Sequence, residues 1–265
     1  VACADSLGGY VDQVYAHPLA ASRLEHLIVL YAYAFQIYFD FSGYTDIAMG
    51  VAGLLGFRLP ENFRHPYLAE NPSEFWRRWH ISLSTWLRDY LYVGLGGNRH
   101  GRVRTYVNLF LTMLLGGLWH GAAWTFVAWG AFHGLWLAAH RAIVRDALLG
   151  RRIAELDVPR WLRRAVTFHL VALAWVPFRA PSFTHASAIL RGLLTAGDQL
   201  TAPLPLAVIA IILGGLATHG FALQSRLEHV FERWPRPAQG IAYGMVIIVI
   251  ALTIGQSERF IYFQF

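Results

Sequence analysis

The sequence predicts an all-α, polytopic integral membrane protein with about five or six crossings, supplemented by amphipathic or re-entrant helices. Three observations carry that reading. Of the 265 residues 56% are hydrophobic and only 14% are charged, where a soluble domain carries about 25% charged residues. Five apolar regions recur along the chain, and lipid is the solvent that tolerates so much of them. The 10 Trp, 12 Tyr and 17 Phe suit membrane-interface and tunnel-lining positions.

The first apolar region runs from Leu27 to Phe57 and contains Asp40 and Asp46. At roughly 1.5 Å per residue it exceeds a hydrocarbon core of about 30 Å, so a tilted or broken helix is expected. Gly43, Gly50, Gly53 and Gly56 offer places to bend or pack closely. Charge inside a membrane is expensive, so both aspartates are expected to face protein or water. The second region, Tyr106 to His140, is interrupted by Gly116-Gly117 and by Gly121. Two short helices or a re-entrant hairpin fit it, with irregular backbone where it lines a cavity. The third region is Ala165 to Pro177, the fourth Leu204 to Leu223 and the fifth Ile241 to Ile254.

Between the first two regions lies a polar, arginine- and tryptophan-rich stretch, Arg58 to Arg104. On a helical wheel, Trp76, Trp79, Leu83, Trp86, Leu87 and Tyr90 form one stripe with His80 at its edge. Arg77, Arg78, Ser82, Ser84, Thr85, Arg88 and Asp89 fall on the rest. The pattern predicts an amphipathic helix at the membrane surface or lining a cavity. Asn71-Pro72-Ser73 supplies its start, and Gly94, Gly96 and Gly97 its stop. Arginines flank the second region on both sides, Arg88, Arg99, Arg102 and Arg104 before it and Arg141, Arg145, Arg151 and Arg152 after it. The positive-inside rule then places both flanks in the cytoplasm, with an even number of crossings between them. Arg141 to Arg164 reads as a polar connector within a single membrane domain, residues 1–265.

The net charge of +6 is carried by arginine alone, since the chain has no lysine. Coding bias accounts for this, although an arginine fork also suits phosphate and headgroup contacts. The basic residues lie between apolar spans rather than on one soluble face, which argues against nucleic acid. A single cysteine, Cys3, excludes an internal disulfide framework and a cysteine-based zinc site.

Two histidines stand in unusual company, His80 in FWRRWHISLSTW and His120 in LLGGLWHGAAW. An imidazole in an apolar region is costly unless hydrogen-bonded or wet. A neutral histidine in a cavity is a natural general base towards a hydroxyl; a histidine bonded to a helix carbonyl is the structural alternative. His133 and His140 are seven residues apart and share a helix face, but two histidines without a third ligand make no metal site. Ser82 and Ser84 lack a nucleophile elbow, and Cys3 has no neighbouring base. These residues define a membrane enzyme or transporter with a histidine-containing cavity.

The run FQIYFDFSGYTDIAMGVAGLLGFRLPENFRHPYLAENPSEFWRRWHISLSTWLRDYLYVGLGGNR, followed by NLFLTMLLGGLWHGAAWTFVAWGAFHG, resembles membrane-bound O-acyltransferases of the bacterial alginate O-acetyltransferase branch. The opening ADSL and closing FIYFQF extend the likeness, and the usual greater length of the family implies that further N-terminal spans precede this portion. The resemblance implies catalytic roles for His120, from the GLWHG-type motif, and for His80, from the WHISLS-type motif. It implies substrate- or tunnel-lining roles for Asp40, Asp46, Trp76, Trp79, Ser82, Trp86, Arg88, Asp89, Asn98, Trp119 and Trp124, and no metal. It further implies a multi-pass protein of the bacterial inner membrane. The acyl donor would be acetyl-CoA or another cytoplasmic acetyl donor, with no bound cofactor. The expected partners are membrane lipid, an exported polysaccharide acceptor and periplasmic acetyltransferase proteins. D-alanyl transfer to a cell-envelope polymer, or a transporter or scaffold role in polysaccharide export, are the competing expectations.

Overall fold

A computed structural model describes residues 2–145, 157–220 and 229–253. Among them the secondary structure is helical, with no strand. The helices are α1 (Ala2–Ala16), α2 (Arg23–Leu54), α3 (Pro72–Trp76), α4 (Ile81–Trp86), α5 (Gly101–His120), α6 (Trp124–Arg145), α7 (Arg160–Arg179), α8 (Phe183–Thr195), α9 (Leu206–Gly220) and α10 (Arg236–Thr253).

The long apolar run folds as one unbroken 32-residue helix, α2, about 48 Å long at the usual rise. The glycines within it do not bend it out of helical geometry. Its start is fixed chemically: the Ser22 hydroxyl accepts from the Glu25 backbone N–H, and the Ser22 backbone N–H donates to the Glu25 carboxylate at 2.7 Å. This reciprocal capping box satisfies two otherwise orphaned donors. The Thr201 hydroxyl also donates to Glu25 at 2.6 Å, tying the approach to α9 onto the head of α2.

The core lies where α1, α7, α8 and α9 pack on α2. Val29, Ala32, Tyr33, Ala34 and Phe35 of α2 meet Leu7 and Val11 of α1, Val171 and Trp175 of α7 and Ile189 of α8. Helices α1 and α8 were not anticipated, because a helix that buries one narrow face beside a larger apolar helix leaves little trace in mean hydropathy. The third apolar region is the middle of the longer α7, with Pro177 inside its last turn. The fourth and fifth correspond to α9 and α10; residues 221–223 and Ile254 lie outside the described residues. So do residues 146–156 of the expected connector and the closing FIYFQF.

The second apolar region is a two-helix hairpin, α5 and α6, and it turns at Gly121 rather than at Gly116-Gly117. The glycine pair stays helical because it is where the two helices touch. A Cβ added at Gly117 would lie 2.4 Å from the Phe126 carbonyl oxygen, and one at Gly130 2.4 Å from the Met113 carbonyl oxygen. Both obstacles are backbone, which cannot rotate away. Gly130→Ala is therefore expected to force α5 and α6 apart and to cost about 1–3 kcal/mol. A thermal melt of the purified protein checks this; an unchanged midpoint would contradict so close a crossing.

The expected single amphipathic helix around His80 is not continuous, and this is a correction. Asn71 caps α3 as anticipated, its side-chain oxygen accepting from the Glu74 N–H at 2.9 Å. The chain then breaks at His80, whose backbone adopts φ 41° and ψ 58°, before α4 resumes and widens into a π-type turn over Leu87–Tyr92. The apolar stripe is consequently split. Trp79 and Leu87 are buried, while Trp86 and Tyr90 are exposed.

Among the described residues, no helix is both long and apolar enough by itself to cross a membrane. Charged and polar residues interrupt the longest of them, α2, at Glu25, Asp40 and Asp46.

Candidate active site

His80 is positioned by a strap of chain that precedes it by some eighteen residues. The Asn62 carbonyl accepts from the Ile81 N–H at 3.0 Å, and the Arg78 carbonyl accepts from the Arg64 N–H at 3.0 Å. The Asn62 side-chain oxygen accepts from the Ser82 N–H at 3.1 Å and from the Ser82 hydroxyl at 2.7 Å. His80 Nδ1 lies 3.3 Å from the Ser82 hydroxyl and 3.4 Å from Asn62 Oδ1. A left-handed backbone costs a non-glycine residue on the order of 1–2 kcal/mol. The strap holds it there, which is the pattern of strain retained at functional positions. The ring itself is 9% exposed and meets the edge of Phe41 at 4.7 Å. Burial first, and the neighbouring His120 second, push the His80 pKa down to about 3. Both effects favour the neutral ring of His80.

His120 is the last residue of α5, immediately before the Gly121 turn. Its ring packs against Trp119 at 5.0 Å, Trp129 at 5.3 Å and Phe178 at 5.0 Å. Two helix ends therefore build this position, the C-terminus of α5 and the last turns of α7. The wall continues from Trp129 to Trp175 at 5.6 Å and from Trp175 to Trp79 at 5.0 Å. Trp79 meets Phe63 at 5.0 Å, Phe63 meets Phe41 at 5.2 Å and Phe41 meets His80 at 4.7 Å, so the two imidazoles are the ends of one aromatic wall. Aromatic pairs of this kind contribute about 0.5–1.5 kcal/mol each beyond their area, which makes the wall rigid.

The remaining predicted residues divide. Asp40, Trp76, Trp79 and Ser82 lie in or against this core, Asp40 at 5% exposure. Asp46 is exposed on α2, unlike Asp40. Trp86, Trp119 and Trp124 are exposed, although Trp119 still edges His120. Arg88 and Asp89 are both exposed and pair with each other, Nε to Oδ1 at 2.6 Å. Asn98 is exposed in the turn before α5. Sequence reasoning passed over Asn62, Phe41, Trp129, Trp175 and Phe178. Asn62 had a signal, since an Asn between Pro60 and Arg64 is a natural side-chain-to-backbone anchor; the aromatics had none.

His133, four residues beyond Trp129 on α6, is fully buried, and among the described residues neither ring nitrogen has a hydrogen-bond partner. Nor, among them, do the buried indole nitrogens of Trp76 and Trp129. A buried polar atom left so costs about 1–3 kcal/mol. A separate cavity of about 900 Å³ lies between the α1–α2 connection and α8, lined by His17, His26, His185 and Arg191 among others. It contains neither His80 nor His120.

The fold and this centre define a class: an α-helical protein whose apolar core brings two imidazoles to one aromatic wall. Residues 13–147 match the family model of MBOAT, the membrane-bound O-acyltransferase family. The chain belongs to that family. It is 46% identical over 208 residues to the probable alginate O-acetylase AlgI of Pseudomonas putida, a match covering 74% of this chain and 41% of the relative. It is 53% identical over 167 residues to the protein of the same description from Pseudomonas syringae pv. tomato, covering 63% and 31%. To the peptidoglycan O-acetyltransferase of Helicobacter pylori it is 42% identical over 194 residues, covering 73% and 36%. The chain thus spans less than half the length of the curated relatives it matches.

Proposed function

We propose that this chain is the histidine-bearing portion of a membrane O-acyltransferase that transfers, or relays, acetyl groups for O-acetylation of an exported polysaccharide such as alginate. The observation that carries the reading is the placement of His80 and His120 at one aromatic-walled core in a member of an acyltransferase family. His120 acts as general base, taking the proton of the acceptor hydroxyl as that oxygen attacks the acyl carbonyl; the donor thiol or equivalent group leaves. His80, held neutral, orients the hydroxyl or the developing oxyanion. The surrounding rings exclude bulk water, which would otherwise compete for the acyl group.

The acyl donor is acetyl-CoA or another cytoplasmic acetyl donor, and periplasmic acetyltransferases receive the group where the chain only relays it. Incubating membranes that contain the full-length protein with radiolabelled acetyl donor tests the reaction. Label is expected in the polymer or in a protein relay; label in neither, with active D-alanyl transfer instead, would move the chain to the competing reaction.

In this reading the protein is a multi-pass protein of the inner membrane with about five or six crossings, and the α5–α6 hairpin supplies two of them. An antiparallel hairpin brings its open ends to one side, and arginines at both ends make that side cytoplasmic. Single cysteines at positions 100 and 145 are then expected to react with an impermeant reagent from the same side. Reaction from opposite sides would exclude the hairpin topology.

A further inference from the structure

Behind the aromatic wall that carries His120 lies a second group of polar atoms that the proposed reaction leaves unused. His133 is 0% exposed and sits in a box of rings: Trp129 at 4.9 Å, Trp76 at 5.1 Å and Phe75 stacked at 6.1 Å. Trp76 and Trp129 also meet each other, at 5.7 Å. Four polar atoms of this box, both ring nitrogens of His133 and the indole nitrogens of Trp76 and Trp129, have no hydrogen-bond partner among the described residues. A neutral imidazole offers one donor and one acceptor, and each indole offers a donor only. The box is therefore rich in donors and short of acceptors. A purely structural, dry core has no use for a histidine here; phenylalanine would fill the same space without burying two polar nitrogens. The box is also not remote, because the Trp129 ring that forms one side of it forms the backing of His120 on its other contact.

We propose that His133, Trp76 and Trp129 form a polar subsite, sharing the Trp129 ring with His120, that takes a hydrogen-bond-accepting oxygen. Two sources supply such an oxygen: a resident water, or a carbonyl of the acyl donor lying along the wall. The second source rests on the acyl-transfer reading above, whereas the first does not. With water as the oxygen, His133 is a positioning residue that fixes the Trp129 ring and with it the ring that His120 packs on. With a donor carbonyl remote from the transferred acyl group as the oxygen, the subsite binds the donor directly and still makes no contact with the reacting atoms.

The test uses the full-length protein in lipid nanodiscs, with His133→Phe, His133→Gln and Trp129→Phe beside the wild type. A high-resolution map without donor is expected to show a density peak within hydrogen-bond distance of at least two of the named nitrogens if the oxygen is water. His133→Phe then displaces it and orphans the indoles, lowering the melting midpoint by roughly 2–4 °C for each group left unsatisfied. His133→Gln, which keeps a donor and an acceptor, recovers much of that loss. If the oxygen belongs to the donor, the map is empty there. His133→Phe and Trp129→Phe then raise KM for the donor about tenfold or more while kcat changes little, a split that general loss of packing would not produce. No density, unchanged KM and a His133→Phe midpoint equal to or above wild type would overturn the proposal, showing a dry core. The map and the melts do not depend on acyl transfer, so they stand even if that reaction is disproved.

Discussion

Replacing His120 by alanine in the full-length protein is expected to lower acyl transfer by about 10²–10⁴-fold, the usual contribution of a general base, while the protein still inserts and folds. The imidazole sits at the final residue of α5, at the turn into α6 rather than inside a helix. Its ring makes edge contacts to Trp119, Trp129 and Phe178, but Phe178 also contacts both Phe126 and Trp129 and keeps the wall standing. Structure and chemistry are thus separable at this position. The measurement is the acetyl content of the exported polysaccharide from cells carrying wild type or His120→Ala, at matched membrane levels. Loss of acetyl groups supports the base and identifies the polymer as eventual acceptor. Unchanged acetylation would remove His120 from the mechanism.

The second large effect is expected at His80, where stability and activity should move apart. The residue occupies a left-handed backbone that glycine adopts without penalty. His80→Gly and His80→Ala both lose the imidazole, so both are expected to lose transfer, by about 10²-fold or more if the ring orients the hydroxyl or oxyanion. They differ in strain: the glycine variant is expected to be more stable than the alanine variant by about 1 kcal/mol. Activity and thermal melts on the pair read both effects. Equal melting midpoints would mean that the turn relaxes on substitution, and near-wild-type transfer in either variant would exclude His80 from the site.

The two histidines differ in how they could be found. His120 was visible because a histidine amid glycines and aromatics in an apolar stretch contradicts its surroundings, and contradictions of that kind mark sites. The reach of the second apolar region, from Tyr106 to His140, likewise announced two helices. The position of their turn was not readable, since Gly116-Gly117 breaks a helix by propensity yet here serves as its contact face. The stretch around His80 misled in a different way. Its apolar residues fall on one helical stripe, so a wheel joins them, but Asn62 intervenes from outside the window and forces the chain through φ 41°. Periodicity measures only what neighbours in sequence prefer.

Local composition and spacing already set the helical class, the apolar regions that build α2, the α5–α6 hairpin, α7, α9 and α10, the capped start of α3 and the two histidines worth testing. These are properties of local composition and spacing, which the chain carries wherever it goes. The tertiary structure alone decided that Asp40 is buried while Asp46 is exposed, that Arg88 and Asp89 pair with each other at the surface, and that Trp129, Trp175 and Phe178 from distant helices wall the centre. It also decided that His133 is enclosed with two indoles and, among the described residues, no hydrogen-bond partner. Such placements follow from close packing between segments far apart in sequence, where shape and the exclusion of water, not propensity, fix which side chains meet.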